Sequence, residues 1–411
     1  MFFHYGLHKS NTKKASSCDL RFREPNARSH QTQRVCETIR ELTHGLAHET
    51  DSRENRFREP WGEALAARYE TRPGSPVVHL DDLPGHSMVF LNPEGRLEVK
   101  RAWCLLVQSM GARWASDRFR RIANYLSGRA ADVSRLKTWK DFGDLIGFEV
   151  NQLEPFVRSI RLSDGAHIRT LSRPKLPFNL ATPSGGRLIG YFGDLNSRNG
   201  AFSNKVRLLH KDFRMTIREV FGNLSMTETA LEHGGFGEGH YLRTNVGYLI
   251  PAALTIAGYD CGTDQKLSNN PIPSWLFECD NVVKAECLSS LWDTEGSVNF
   301  RDLKVRQAVS VQLHPYDAIP VWPSTKAFRQ LAPGNQAAVL ERPPLLLVSA
   351  ALLLFSLGIE SRLVPTGTAM SSGVATAYWH LRVHRDRSIR TFRTLVSLRS
   401  PEKKTRLRSF Q

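Results

Sequence analysis

The carboxylate of Glu295 is the side chain whose position most invites chemistry. Leu288-Ser-Ser-Leu-Trp-Asp-Thr-Glu-Gly296 reads as the end of a helix with Leu288, Leu291 and Glu295 on one face, at i, i+3 and i+7. Gly296 is expected to stop that helix in a left-handed conformation, which glycine adopts without Cβ strain. Glu295 then falls at the C-terminal end, where the helix dipole already disfavours negative charge, so it calls for a cation. Ser289 and Ser290, with Ala285 and Cys287 upstream, are small enough to admit another helix backbone. Taken alone, the same stretch also fits an amphipathic helix ending in a solvated acid, and the surrounding sequence has to decide.

Composition narrows the partner. The chain has 411 residues, enough for two or three domains with real cores. Its 56 Lys and Arg against 40 Asp and Glu leave a net charge of +16, which favours nucleic acid or an acidic membrane surface. Cys18, Cys36, Cys104, Cys261, Cys279 and Cys287 show neither C-x-x-C spacing nor histidines at zinc spacing, and read as reduced, mostly buried thiols. Met1-Phe-Phe-His-Tyr5 runs into polar sequence, unlike a signal peptide, and the longest apolar run, Leu345 to Gly358, is too short for a bilayer. A cytoplasmic protein is expected, with no membrane segment and no glycan on Asn223.

In chain order, residues 1–58 are basic and polar without a sustained period, and are expected to be a disordered lead-in. Residues 59–175 read as helical. Trp103, Leu106, Val107 and Met110 give one apolar face, and Phe119, Ile122, Ala123 and Leu126 another. Thr138 can cap a helix bearing Trp139, Phe142, Leu145 and Ile146, with Gly147 to stop it. A second helix would bury Leu153, Phe156, Val157 and Ile160, with Pro155 in its first turn. This pair fits a helix-turn-helix presenting Arg158 and Arg161 to DNA, and equally an ordinary helical hairpin. Arg173-Pro-Lys-Leu-Pro-Phe178 is a proline-punctuated linker, and His233-Gly-Gly-Phe-Gly-Glu-Gly239 reads as a hairpin turn rather than a phosphate loop.

From Asn270-Pro-Ile-Pro-Ser-Trp275 onward the chain resembles the LAGLIDADG homing endonucleases. Leu288–Gly296 matches that family's signature helix position by position, with Glu295 at the acidic position, Gly296 at the closing glycine and Ser290 replacing a mid-helix glycine. Archaeal-type members also carry a Pro-Lys-Leu-Pro-Phe segment just ahead of their first signature helix, which here would be Gly185-Gly-Arg-Leu-Ile-Gly-Tyr-Phe-Gly-Asp194. That first signature departs from the pattern. With Gly190 as the packing glycine, Asp194 comes one residue early and Leu195 stands where the closing glycine belongs. The resemblance implies an α+β fold in which two pseudo-symmetric α-β-β-α-β-β-α repeats, 176–275 and 276–411, form a β-saddle. Gly200–Val206 and Val305–Gln312 would be opening strands, Phe213–Gly222 and Leu345–Gly358 the middle helices, Tyr241–Asn245 and Tyr378–His384 the last strands. Val246–Gly258 and Ile389–Leu398 would close the repeats, and Pro315–Pro344 is an insertion in the second.

In that family the two helix-end acids bind Mg²⁺ where the repeats meet, each helping to cut one DNA strand. The resemblance therefore implies Asp194 and Glu295 as catalytic metal ligands, since two adjacent carboxylates repel unless cations lie between them. Gln312, Arg243 and Arg382 would orient water or neutralise the phosphate, while Asp293 would face solvent or cap locally. Basic residues alternating with apolar ones at Lys205 and Arg207, Lys304 and Arg306, Arg382 and His384 suit a sheet that reads the major groove. The expected function is Mg²⁺-dependent, site-specific hydrolysis of double-stranded DNA by a monomer with internal pseudo-two-fold symmetry. Two alternatives stay open because of the irregular first signature: a non-cleaving nucleic-acid binder such as an intron-splicing maturase, and a helix-turn-helix regulator. Nothing resembles a Ser/His/Asp or Cys/His arrangement, and neither end resembles an intein.

Overall fold

Helices and short antiparallel strands alternate along the residues that the computed structural model describes, which are 3–7, 16–20, 25–49, 57–128, 135–163, 168–196, 199–234, 237–244, 248–261, 270–299, 301–312, 328–371 and 374–410. Strands β1 (Phe3–Leu7) and β2 (Ser16–Leu20) pair ahead of helices α1 (Pro25–Glu49) and α2 (Glu59–Thr71). There follow β3 (Val77–Val78), β4 (Met88–Leu91), α3 (Pro93–Met110), α4 (Ala112–Arg118), α5 (Arg120–Leu126) and α6 (Leu136–Ile146). Next come β5 (Val157–Ser163), β6 (Ile168–Pro174), β7 (Phe178–Asn179), α7 (Pro183–Gly190), β8 (Phe202–Asn204) and α8 (Arg207–Phe221). β9 (Gly222–Asn223), β10 (Met226–Gly234), β11 (Gly237–Thr244), α9 (Leu249–Ile256) and α10 (Asn281–Thr294) continue the chain. The rest is β12 (Gly296–Val298), β13 (Leu303–Val311), α11 (Pro333–Leu340), α12 (Leu345–Ser356), β14 (Arg362–Ser371), β15 (Val374–Val383), α13 (Asp386–Leu395) and α14 (Pro401–Arg408).

The fold is mixed α+β, with several small antiparallel sheets rather than one large one. The larger ones have strand orders β4-β5-β6-β9, β10-β11-β8 and β12-β13-β15-β14. The last is the most regular: β13 alternates buried and partly exposed residues along its whole length, so one face packs inward and the other is more open. Helix α12 is apolar all round, Leu345-Leu-Leu-Val-Ser-Ala-Ala-Leu-Leu-Leu-Phe-Ser356, and such a helix has to be enclosed. It is, by α1, α2, α10, β14 and β15. Among the described residues no single helix is long and apolar enough to cross a membrane, and α12 with α11 forms a pair bent by 64°.

Two expectations are corrected by the packing. The region 1–58 is not without a period: α1 spans 25 residues and buries Val35, Cys36, Ile39, Thr43 and Leu46. Those positions sit at helical spacing, but they are sparse in a polar context, and their partners are far along the chain. Gly45 lies against the Phe355 ring, and a Cβ on Gly62 would collide with the Thr43 side chain. The helix-turn-helix is also overturned. α6 is present, but Val150–Phe156 is a 3₁₀ turn and Val157–Ser163 is a strand. Phe90 pairs with Ser159 and Leu91 with Val157, so Arg158 is the extra residue of a β-bulge. The bulge stretches the strand period locally to three, which is how buried Val157 and Ile160 imitate a helical face. Arg158 is exposed at the bulge, and Arg161 lies over the Phe90 ring at 4.8 Å.

Smaller shifts concern element ends. The opening strand of the first half is only Phe202–Asn204, and α8 begins at Arg207 rather than Phe213. The closing helices are Leu249–Ile256 and Asp386–Leu395. The expected insertion is described only from residue 328, where α11 sets the Leu340 carbonyl on Trp61 Nε1 at 2.7 Å. The glycine-rich hairpin tip falls partly outside the described residues, between β10 and β11.

Candidate active site

The site is assembled by two helices that pack closely enough to exclude side chains. Thr182 Oγ1 accepts the Gly185 N–H at 3.1 Å and Pro183 occupies the first turn, which starts α7 cleanly. A Cβ on Gly186 would lie 2.4 Å from the Val283 carbonyl oxygen, and one on Gly190 would lie 2.2 Å from that of Cys287. On α10, Ser290 faces Gly190 and is fully buried, its Oγ returning to the Glu286 carbonyl at 3.1 Å; the neighbouring Ser289, also buried, donates from Oγ to the Ser397 carbonyl at 2.6 Å. Arg187 bridges Asp212 (3.2 Å) and Glu286 (3.0 Å), and Arg399 meets the same two acids at 3.5 and 2.6 Å. The Tyr191 hydroxyl donates to Asp212 at 2.6 Å, and burial, then the nearby acid, holds its pKa far up.

The two helices end differently. α10 is α-helical to Thr294, and Glu295 caps it with its N–H on Leu291 O at 2.9 Å. α7 stops at Gly190, and Tyr191–Asp194 continues as a 3₁₀ turn. Four 3₁₀ residues climb about 8 Å and turn about 480°, close to the roughly 7.5 Å and 500° of five α residues. The tighter turn thus absorbs the residue missing between Gly190 and Asp194. Gly193 lies directly against the Glu295 carboxylate, where a Cβ would be 2.2 Å from Oε1, so Asp194 comes one residue beyond the point of contact.

Each acid receives an amide. Asn204 Nδ2, on β8, donates to Asp194 Oδ2 at 2.5 Å. Gln307 Nε2, on β13, donates to Glu295 Oε2 at 3.2 Å. The cation at this helix end is Lys403 on α14: its Nζ donates to the Trp292 and Asp293 carbonyls, at 2.9 and 2.7 Å, which are among the last of α10. Burial lowers the pKa of Lys403, and Asp293, Asp194 and Glu295 act in the opposite direction. Asp293 is neither solvent-facing nor a cap of its own helix. It is 3% exposed and accepts the backbone N–H groups of Arg399 (2.8 Å) and Ser400 (2.9 Å), which fixes the segment bearing Lys403. Gly296 begins β12 without a left-handed conformation; it is needed because a Cβ would come within 2.7 Å of the Trp292 backbone.

The other expected residues are dispersed. Gln312 is exposed just past the end of β13, five positions and one sheet face away from Gln307. Arg243 is exposed on β11, over the Tyr241 ring at 5.1 Å, and Arg382 is held by Asp302 with Nε at 2.8 Å. Lys205 is exposed between β8 and α8, and Arg207 opens α8 with Nε on His240 Nε2 at 3.1 Å. Lys304 and Arg306 point from the open face of β13, paired across the sheet with Arg382 and His380. Arg306 covers Tyr378 at 4.6 Å, and Arg362 adds a further charge beside Arg382. Burial and then Lys304, Arg306 and Arg382 push the His380 pKa down to about 4. His384, just beyond β15, is lowered by burial and by Arg362, Arg382 and Arg385.

Sequence reasoning missed Gln307, Asn204 and Lys403. Gln307 had a signal: it is the lone polar residue on the inward face Leu303, Val305, Gln307, Val309, Val311. The cluster that results is two carboxylates, each accepting a hydrogen bond from one side-chain amide. Among the described residues no cluster of three or more His, Cys, Asp or Glu side chains forms a metal cage. Comparison with family models and with curated proteins gives no match. Among solved structures, one of mesophilic variants of the homing endonuclease I-DmoI is similar over 53% of this chain and 97% of that one, at 11% identity and a TM-score of 0.29. At that score the likeness carries no argument about function.

Proposed function

We propose that this chain is a site-specific, Mg²⁺-dependent double-strand DNA endonuclease of the LAGLIDADG type, built from pseudo-symmetric repeats over 176–275 and 276–411. One observation carries the reading: the Glu295 carboxylate lies against Gly193, next in the chain to Asp194, each acid has its own amide donor, and the half-buried Lys403 ammonium interacts with both. A purely structural role does not call for two acids at the ends of helices packed this tightly.

The donor set fits the metal. Mg²⁺ takes one or two carboxylates and completes its shell with water and substrate phosphate, without nitrogen or sulfur ligands. Asp194 and Glu295 would hold it, and bound there it supplies phosphate polarisation and a water of lowered pKa. Asn204 and Gln307 each fix one carboxylate oxygen, and so set the way each acid faces the ion. Lys403 sets a positive charge where a scissile phosphate would add negative charge, and its bonds to Trp292 and Asp293 keep it from swinging away. The open face of β13, β15 and β14, with Lys304, Arg306, Arg362, Arg382 and Tyr378, would hold duplex DNA by phosphate contact and groove readout. Arg158 and Arg161 would add phosphate contacts from a second sheet, as bulge and strand residues.

The experiment is incubation with a randomised plasmid library and Mg²⁺, with the resulting ends sequenced. The reading predicts recurrent breaks at one sequence. Uncut libraries with tight binding to structured RNA would favour the maturase alternative.

A further inference from the structure

Behind Asp194 lies a cluster that the proposed chemistry does not use. His210, on α8, is 1% exposed, and its Nε2 lies 2.9 Å from the Asn204 carbonyl oxygen. A carbonyl only accepts, so Nε2 carries the hydrogen and Nδ1 is bare in the neutral ring. That Nδ1 is buried, makes no hydrogen bond, and lies 4.0 Å from Glu228 Oε1 on β10. His240, on β11, is the opposite tautomer. Its Nε2 accepts from Arg207 Nε at 3.1 Å, which leaves the hydrogen on Nδ1, 3.5 Å from the same Glu228 oxygen. Arg214, one turn along α8 from His210, completes the group by pairing with Glu228 at 2.8 Å.

Asn204 is thereby fixed at both ends. Its carbonyl takes the His210 N–H, its side-chain Oδ1 accepts the Val206 N–H at 2.8 Å, and its Nδ2 is left aimed at Asp194. Among the described residues, Gln307 in the other half has no comparable support. It sits mid-strand, opposite Trp379 in the ladder with β15. We propose that His210 is a positioning residue for the Asp194 half of the site alone, acting through Asn204. The consequence for DNA rests on the endonuclease reading: weakening this cluster turns a double-strand cutter into a nicking enzyme. Burial, with His240 and Arg214 acting in the same direction, keeps the His210 pKa lowered, while its bond to Asn204 and Glu228 oppose this.

The test uses the full chain labelled with ¹⁵N-asparagine. The Asn204 side-chain amide is assigned by its loss in Asn204→Ser. His210→Phe should shift or broaden that resonance, whereas His210→Gln, whose Nε2 can reach the same carbonyl, should leave it near its wild-type position. If His210→Phe does not fold, His210→Asn, whose amide falls short of that carbonyl, takes its place. On plasmid carrying the selected site, His210→Phe should yield nicked circles, with one strand cut at least about ten-fold more slowly and the other unchanged, and His210→Gln should still yield linear product. An unmoved Asn204 resonance in folded His210→Phe overturns the proposal, as does equal slowing of both strands with His210→Gln no better. If the resonance moves as expected but the wild type cuts nothing, the positioning role stands and the endonuclease reading falls.

Discussion

The two acid-bearing helix ends reach neighbouring points by different routes. α10 stays α-helical to its last residue, and Glu295 arrives with a closing glycine packed against Trp292. α7 gives out at Gly190, and a 3₁₀ turn carries Asp194 the rest of the way. Both acids are then met by an amide from a nearby strand, Asn204 in one half and Gln307 in the other. Residue spacing and spatial position are therefore separable: a missing residue can be absorbed by tightening a turn. The support is lopsided as well. Lys403 stands near both acids, while the buried histidine bears on the Asp194 end alone.

Adding one residue to each helix should separate the two routes most clearly. An insertion between Trp292 and Asp293 turns Glu295 by about 100° and should lower cleavage by about 10³ or more. The same insertion between Phe192 and Gly193 lets the 3₁₀ turn relax to α, and should leave cleavage within about ten-fold of wild type. Plasmid cleavage rates decide it, and equal losses would mean that the tight turn compensates for nothing.

Glycine substitutions separate crossing from tip. Gly190→Ala drives a methyl into backbone at Cys287 and Leu291, which cannot yield, and should cost about 3 kcal/mol or more in chemical denaturation. Gly193→Ala meets first the movable end of Glu295, so stability should change by less than about 1 kcal/mol while cleavage falls. Next in size is Lys403→Met, which keeps the stem but takes the ammonium donor from two α10 carbonyls; a loss of about 1–3 kcal/mol in stability is expected, together with weaker cleavage. Removing the ammonium without any change in cleavage would place Lys403 outside the chemistry.

The smallest effect is one of pH. His380 titrates near 4 in the folded chain and near its ordinary value when unfolded, so the unfolded state binds more protons between those limits. Stability should be unaffected by this group above about pH 7 and should decline as pH falls from about 6.5 toward 4, with His380→Gln flattening the decline. A polyanion on the open face should raise that pKa, so DNA binding in this range should take up a proton, which titration calorimetry in two buffers would detect.

Part of the helix pair was legible in the sequence, because small residues at Gly190 and Ser290 state a close approach by themselves. The need for a cation at Glu295 was legible too, but not its identity, since Lys403 lies over a hundred residues away in an ordinary-looking basic helix. Gln312 stands in the sequence reading where the structure has Gln307, because strand register cannot be counted from an uncertain strand start, and one slip exchanges the faces. The bulge at Arg158 hid a strand behind a helical period. α1 was hidden for the reverse reason: its apolar positions are too few to announce a helix until α2 and α12 are placed against them.

Whether the carboxylate pair does the cutting is decided by strand-resolved cleavage with Glu295→Gln and Asp194→Asn, measured beside DNA affinity without metal. Each substitution keeps shape and removes one charge from the shared cluster. In each variant cleavage of the strand served by the altered acid should fall by orders of magnitude, about 10³ or more, while affinity for the selected duplex is kept or improved as repulsion of phosphate is relieved. Cleavage and affinity lost together would make the two acids structural, and cleavage unchanged in both would remove the carboxylate pair from the mechanism.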